Sequence, residues 1–285
     1  MSRLTNNEEK SVDQNEAAYL KGGVMPLTTD SSILISSSKY LNSAAMRTLV
    51  AQEMLRKYGA DLPPAYFIPE TMAAFAEVTD YPEVLGLFAA QRSINPEFAA
   101  WLDARYLSDF SAENLRDHRP GTLGEQVYRF VAESGLDIDF MFKGAPEDDF
   151  QYWLKRFVQS HDIQHMVTGL DVTPIGEYAL IQLNTQQYFD HLTPELAAQL
   201  SQQPTFGVSC GLMRSTLHYP RTMPLLLDAM ALARRMAREI RRPLFQVRWE
   251  DYFDCSIAEI REDLNILDAP ADGEWAWAYE DMRGN

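Results

Sequence analysis

Cysteine is nearly missing from this chain. Its 285 residues include two, Cys210 and Cys255, too few for a disulfide framework and not placed in a paired metal motif. That usage suits a reducing cytoplasm. Long apolar runs are missing as well, and none approaches the roughly 20 residues that cross a bilayer. The N-terminus, MSRLTNNEEKSVDQNEAAYLKGG, is polar and acidic, unlike a secretory signal or an Arg-rich transit peptide. Positive charge is scarce: 25 Lys and Arg face 41 Asp and Glu, for a net charge of -16. Such a surface repels phosphate backbones, so no nucleic-acid partner is expected. The expected location is cytoplasmic, with any membrane contact peripheral, at the inner membrane. Strand-like alternation is rare, and Leu244 to Trp249 (LFQVRW) is the best strand candidate. Gly121, Gly124 and Gly176 form no dinucleotide-binding fingerprint, because no strand precedes them.

What the chain does have is helical periodicity and an apolar fraction of 46%, enough for a sizeable core. Residues 1–38 are rich in Ser, Thr, Asn and acidic residues and read as a loosely ordered tail. Residues 39–285 read as one all-α, multi-helix domain. The spacing predicts helices over Lys39 to Tyr58, stopping at Gly59, and near Glu70 to Thr79, Pro82 to Gln91 and Pro96 to Leu107. Thr122 and Glu125 form a T-x-x-E capping box that opens a helix through Val131. Asp148 or Asp149 caps a helix to about Val167, ended by Gly169. Thr173-Pro174 opens the next, to Phe189. Further helices run from Pro194 to Leu200 and beyond, and from Pro220 to Arg241.

The chemistry concentrates in HDIQHMVTGLDVTPIGE, His161 to Glu177. Phe150, Leu154, Phe157 and Val158 form one helical face, and that stripe continues through His161 and His165. The two histidines are one turn apart on an inward face, so both imidazoles can reach one point. This spacing serves the zinc-binding histidines of H-E-x-x-H helices, although here Asp162 follows the first His. The break GLDVTP lets the next helix fold back and bring Glu177 from its first turn. Imidazoles with carboxylates suit zinc, and also iron or manganese. A histidine near a helix C-terminus can also simply complement the dipole.

The pattern His-Asp-x-x-His, eleven residues, Glu over residues 161–177 resembles that of the coenzyme Q biosynthesis protein 4 family. Upstream, RPGTLGEQVYRF (Arg119 to Phe130) resembles that family's GTLG segment. Gly169-Leu170, Gly176-Glu177 and EIREDLNI (Glu259 to Ile266) also sit where the family has such residues. The resemblance covers roughly residues 40 to 268. It implies an all-helical, often dimeric protein with a hydrophobic channel for a polyprenyl chain. It implies a role in ubiquinone biosynthesis, in oxidative removal of the ring carboxylate from a polyprenylated hydroxybenzoate and in organising the other enzymes of that synthesis. By carry-over, His161, Asp162, His165 and Glu177 are the metal ligands or their close supports. Asp162 stands open between ligand, support and the catalytic acid–base group. The expectation is a metal-dependent decarboxylase or C–C lyase acting on a phenolic, polyprenylated ring. The alternatives are a non-catalytic lipid-binding scaffold and a paralogous lyase for another aromatic compound.

A basic segment interrupts the acidic chain: Arg221, Arg234, Arg235, Arg238, Arg241, Arg242 and Arg248. Leu226, Met230, Ala233, Ala237 and Ile240 form an apolar stripe between them. Three readings stand: a core helix with a solvated basic face, a membrane-surface helix, or a face that recognises an anionic head or a partner protein. Cys210 is expected to be a packed thiol rather than a nucleophile. His118, His191 and His218 are isolated and are expected to be structural or on the surface.

Overall fold

The computed structural model of the chain describes residues 37–57, 68–108, 110–134 and 144–283. The first helices are α1 (Lys39–Asn42), α2 (Ala44–Leu55), α3 (Ile68–Val78), α4 (Tyr81–Ile94), α5 (Pro96–Ala104), α6 (Ala112–Leu115) and α7 (Leu123–Ser134). The long ones follow as α8 (Asp149–Thr168), α9 (Pro174–His191), α10 (Pro194–His218) and α11 (Met223–Glu239). Two short helices, α12 (Ile257–Leu264) and α13 (Ala276–Arg283), come last. The all-α expectation holds among the described residues, where β-pairing is limited to a single bridge between Thr122 and Ser256. The tail expected over residues 1–38 lies outside them except for Ser37 and Ser38, as do Tyr58 and Gly59.

The starts of these helices follow from side chains that satisfy otherwise unpaired N–H groups. Asp80 caps α4, Asn95 caps α5, Asp148 caps α8, Thr173 caps α9 and Thr193 caps α10. Ser256 and Glu259 close a reciprocal capping box on α12. The box expected at Thr122 is half formed: Thr122 Oγ1 accepts from Glu125 N and itself donates to the Arg119 carbonyl. One expected helix is two. Ser43 leaves helical geometry and caps α2, so the stretch from Lys39 breaks there.

The core sits around α9, whose Ile175, Ala179, Leu180 and Leu183 are fully buried. Helices α10 and α11 cover it with Val208, Leu226, Ala233 and Ala237. A second, aromatic cluster joins α4, α5, α8 and α10 through Phe88, Phe98, Tyr152, Trp153 and Leu196. The strand expected at Leu244 to Trp249 is absent. Its residues form two 3-10 turns, Leu244–Gln246 and Trp249–Tyr252. Leu244, Phe245 and Trp249 are anchored in the core, and the Leu244 amide donates to Gln187 Oε1 at 2.8 Å. A buried side-chain partner therefore replaces the neighbouring strand.

Candidate metal centre

Along α8 an aromatic column recurs every four residues. Trp153 stacks on Phe157 with centroids 5.4 Å apart. Phe157 meets His161 at 5.7 Å, and His161 meets His165 edge-on at 4.7 Å. One turn of helix is the reason: side chains at i and i+4 stand one above the other. His165 ends the column in the interior, 4% exposed, and His161, one turn before it, is half-buried.

After Thr168 the helix ends on Gly169 in the left-handed region, φ 74°. This turn points the Leu170 carbonyl back at the last helical turn, where His165 Nδ1–H donates to it at 2.5 Å. That bond keeps a proton on Nδ1 and turns Nε2 toward His161 and Glu177. Asp171 Oδ1 accepts from the Thr173 amide at 3.0 Å, and Thr173 caps α9. Pro174 occupies the first turn. At Gly176 any Cβ would overlap the backbone of Asp171, so only glycine lets the turn close this tightly. Glu177 follows, in the first turn of α9.

The three side chains converge. Glu177 Oε2 lies 3.3 Å from His161 Nε2, and Oε1 lies 3.3 Å from His165 Nε2. The two Nε2 atoms are 3.2 Å apart. One ligand atom from each residue lies within 4.8 Å of the others. Asp162 is not in this group; it is half-buried beside it. His161 Nδ1 is buried without a hydrogen-bond partner.

The electrostatics are those of a site for positive charge. Burial opposes a charged His161, but attraction by Glu177 and a hydrogen bond donated to its carboxylate, with Asp162 nearby, outweigh it and push the ring up to about 9. Burial works against the Glu177 carboxylate too, yet the two imidazoles hold it well below the usual range. For Asp162, burial raises the carboxyl, reinforced by Glu177 and opposed by the histidines. Two neutral imidazoles facing a carboxylate would set lone pairs against lone pairs. A proton or a metal cation between them resolves that conflict, so the donor set fits a divalent ion.

The other expected features fall away from this centre. Burial pushes the Cys210 thiol up to about 12, as a packed thiol requires. His118 contacts Asp254 at 3.2 Å, and its ring lies over Gly124. The GTLG segment is a structural joint: Leu123 N donates to the Cys255 carbonyl and Gly124 N to the Phe253 carbonyl. The stripe of α11 is buried at Leu226, Ala233 and Ala237, with Arg234, Arg235 and Arg238 on the exposed side. The Leu170 carbonyl is the feature that residue spacing missed. Its signal was Gly169, the turn residue that aims it.

The sequence pattern described as "Coenzyme Q (ubiquinone) biosynthesis protein Coq4" matches residues 103–270. The "Ubiquinone biosynthesis protein COQ4 homolog, mitochondrial" of Danio rerio is 24% identical over 207 residues, 70% of each chain. The protein of the same name from Xenopus tropicalis is 22% identical over 58% of this chain and 54% of its own, so the chain spans about half that relative's length. A crystal structure described as a ubiquinone biosynthesis protein from Nostoc punctiforme PCC 73102 has a TM-score of 0.59 at 21% identity, covering 82% of this chain and all of that one; at that identity it supports the fold alone. With more than half of its length matched, this chain belongs to the coenzyme Q (ubiquinone) biosynthesis protein Coq4 family.

Proposed function

We propose that the protein acts in ubiquinone biosynthesis, with a divalent metal held by His161, His165 and Glu177 and a carboxylate removed there from a phenolic, polyprenylated ring. Zinc is the first candidate, with iron and manganese as alternatives. The observation that carries this reading is the convergence of three ligand atoms within 4.8 Å, with the His165 lone pair aimed at the same point by the Leu170 carbonyl. When bound, the metal supplies Lewis acidity toward a phenolate or carboxylate oxygen. Three protein ligands leave a coordination position open for one.

The chain's own residues do the rest. His165 is fixed in one tautomer. Glu177 offsets the positive charge brought into the site. Asp162 sits half-buried beside the ligands with its carboxyl shifted up, which suits a group that holds and delivers a proton. In the simplest sequence the ring–carboxylate C–C bond breaks, its electron pair stays on the ring carbon, carbon dioxide leaves, and Asp162 protonates that carbon.

A metal-loaded sample given a prenylated 4-hydroxybenzoate tests this. The parent should release carbon dioxide. Asp162→Asn should bind metal as the parent does and turn over roughly 100-fold more slowly or worse, the usual worth of a general acid. Full activity in Asp162→Asn would contradict the role. A second reading, a lipid-binding scaffold for the other quinone-biosynthesis enzymes, draws on the exposed Arg234, Arg235 and Arg238 of α11, which could contact anionic lipid. Flotation with anionic liposomes, unaffected by reversing those three charges, would remove that support.

A further inference from the structure

The short helix α12 and its C-cap reach two other helices with side chains one turn apart. Arg261 Nε donates to the Val167 carbonyl at 2.7 Å, in the final turn of α8. Asn265 Nδ2 donates to the Glu239 carbonyl at 2.8 Å, at the end of α11. Both satisfy carbonyls that a helix end leaves open. Only the first lies next to the metal centre.

The Arg261 contact is part of a cradle. A Cβ on Gly169 would stand 2.9 Å from the Pro270 carbonyl and 3.1 Å from Arg261 Nη2. The C-terminal segment thus grips the left-handed turn from outside, from residues about a hundred positions away. Ile266 N closes α12 onto the Arg261 carbonyl at 2.8 Å, and Pro270 is buried, so the grip is itself anchored. What the turn carries is the next residue, Leu170, whose carbonyl takes the His165 Nδ1 proton. A cationic group at the C-terminal end of α8 also opposes that helix's dipole.

We propose that Arg261 is a positioning residue of the metal centre. It holds the Val167–Leu170 turn so that the Leu170 carbonyl selects the His165 tautomer with its Nε2 lone pair facing Glu177. The inference rests on the metal reading given above, but the Leu170 carbonyl contact it builds on is present without metal. Outer partners of ligating histidines are worth 10–100-fold in metal affinity as a rule. Arg261 stands one step further out, which places its effect near the lower end of that range.

The test compares the parent with Arg261→Ala, Arg261→Met, Arg261→Lys and Asn265→Ala. Zinc affinity is read by competition with a chelating dye. The His165 tautomer is read in the metal-free protein by long-range ¹H–¹⁵N NMR. Arg261→Ala is expected to weaken zinc binding about tenfold and to turn a single Nδ1–H form of His165 into a mixture. Arg261→Met keeps the stem packing and loses the donor; it is expected to match the alanine variant and carries the test if that variant does not fold. Arg261→Lys keeps a donor in reach of the same carbonyl and is expected to recover most of the affinity. Asn265→Ala removes the parallel cap on α11 and is expected to leave zinc affinity and tautomer unchanged. The proposal is overturned if Arg261→Ala and Arg261→Met keep parental affinity and a single tautomer. It is overturned equally if Asn265→Ala loses as much affinity as they do. A parent that takes up no zinc contradicts the metal reading instead, and the tautomer comparison then decides the role of Arg261 alone.

Discussion

Replacing Glu177 by glutamine keeps the shape of the side chain and removes its charge. Glu177 approaches both His161 Nε2 and His165 Nε2 at 3.3 Å, and its attraction is what lifts His161 from 6.5 to about 9 against burial. In the metal-free protein a raised folded pKa contributes stability that is complete below the unfolded value and is lost as pH rises through the folded one. For His161 that loss runs from 6.5 to about 9. The depressed Glu177 carboxyl contributes the opposite branch, complete above 4.5 and lost as pH falls. Both contributions are therefore whole only between about 4.5 and 6.5. Near neutral pH the His161 share amounts to on the order of 2 kcal/mol. Urea denaturation in the presence of a chelator, followed by circular dichroism from about pH 6 to about pH 10, measures it. The parent minus Glu177→Gln difference should be about 3 kcal/mol at the acid end of that range, where the His161 contribution is whole, and shrink toward zero at the alkaline end. A difference that stays flat or grows with pH would refute the reasoning.

Other consequences follow from particular contacts. Gly176→Ala forces a methyl into the Asp171 backbone, which cannot swing aside as a side chain would. A loss of about 1–3 kcal/mol is expected in urea melts, with weaker zinc uptake because Glu177 is displaced. Arg156 is buried, and its guanidinium makes a two-pronged contact with Glu250 at 2.9 and 3.1 Å. Arg156→Ala strands that carboxylate and should cost about 3–5 kcal/mol, whereas a loss under about 1 kcal/mol, the worth of a surface pair, would contradict the burial argument. The Cys210 thiol, held up to about 12 by burial, should resist a thiol reagent in the native protein and react once unfolded. Fast native labelling of Cys210 would show that the α10 core opens readily.

Much of the site could be read from residue order because its parts are local. His161 and His165 share a helical face, Gly169 ends the helix, and Thr173-Pro174 starts the next. Those signals act over a few residues, and together they place Glu177 opposite the histidines. What stayed hidden comes from distant chain segments. Nothing in the spacing of Arg261 announces that it caps α8, about a hundred residues earlier in the chain. Arg156 with Glu250, and Arg214 with Glu53 at 2.9 Å, are buried pairs, although charged residues by default read as surface. Leu244 to Trp249 misled because alternation is only a local preference. The anchoring of Leu244, Phe245 and Trp249 in the core decided the backbone there. Ser43 broke an apparently continuous helix for the opposite reason, as a local hydroxyl offered the backbone a better bond than helical continuation.

The proposed metal site of His161, His165 and Glu177 is open to direct measurement. Its most direct measurement is metal content and affinity, by elemental analysis and equilibrium dialysis against zinc, for the parent, His165→Ala and Glu177→Gln. One tightly held ion per parent chain is expected, with a large loss of affinity in both variants. A parent that holds no ion, or variants that hold it as firmly as the parent, would contradict it.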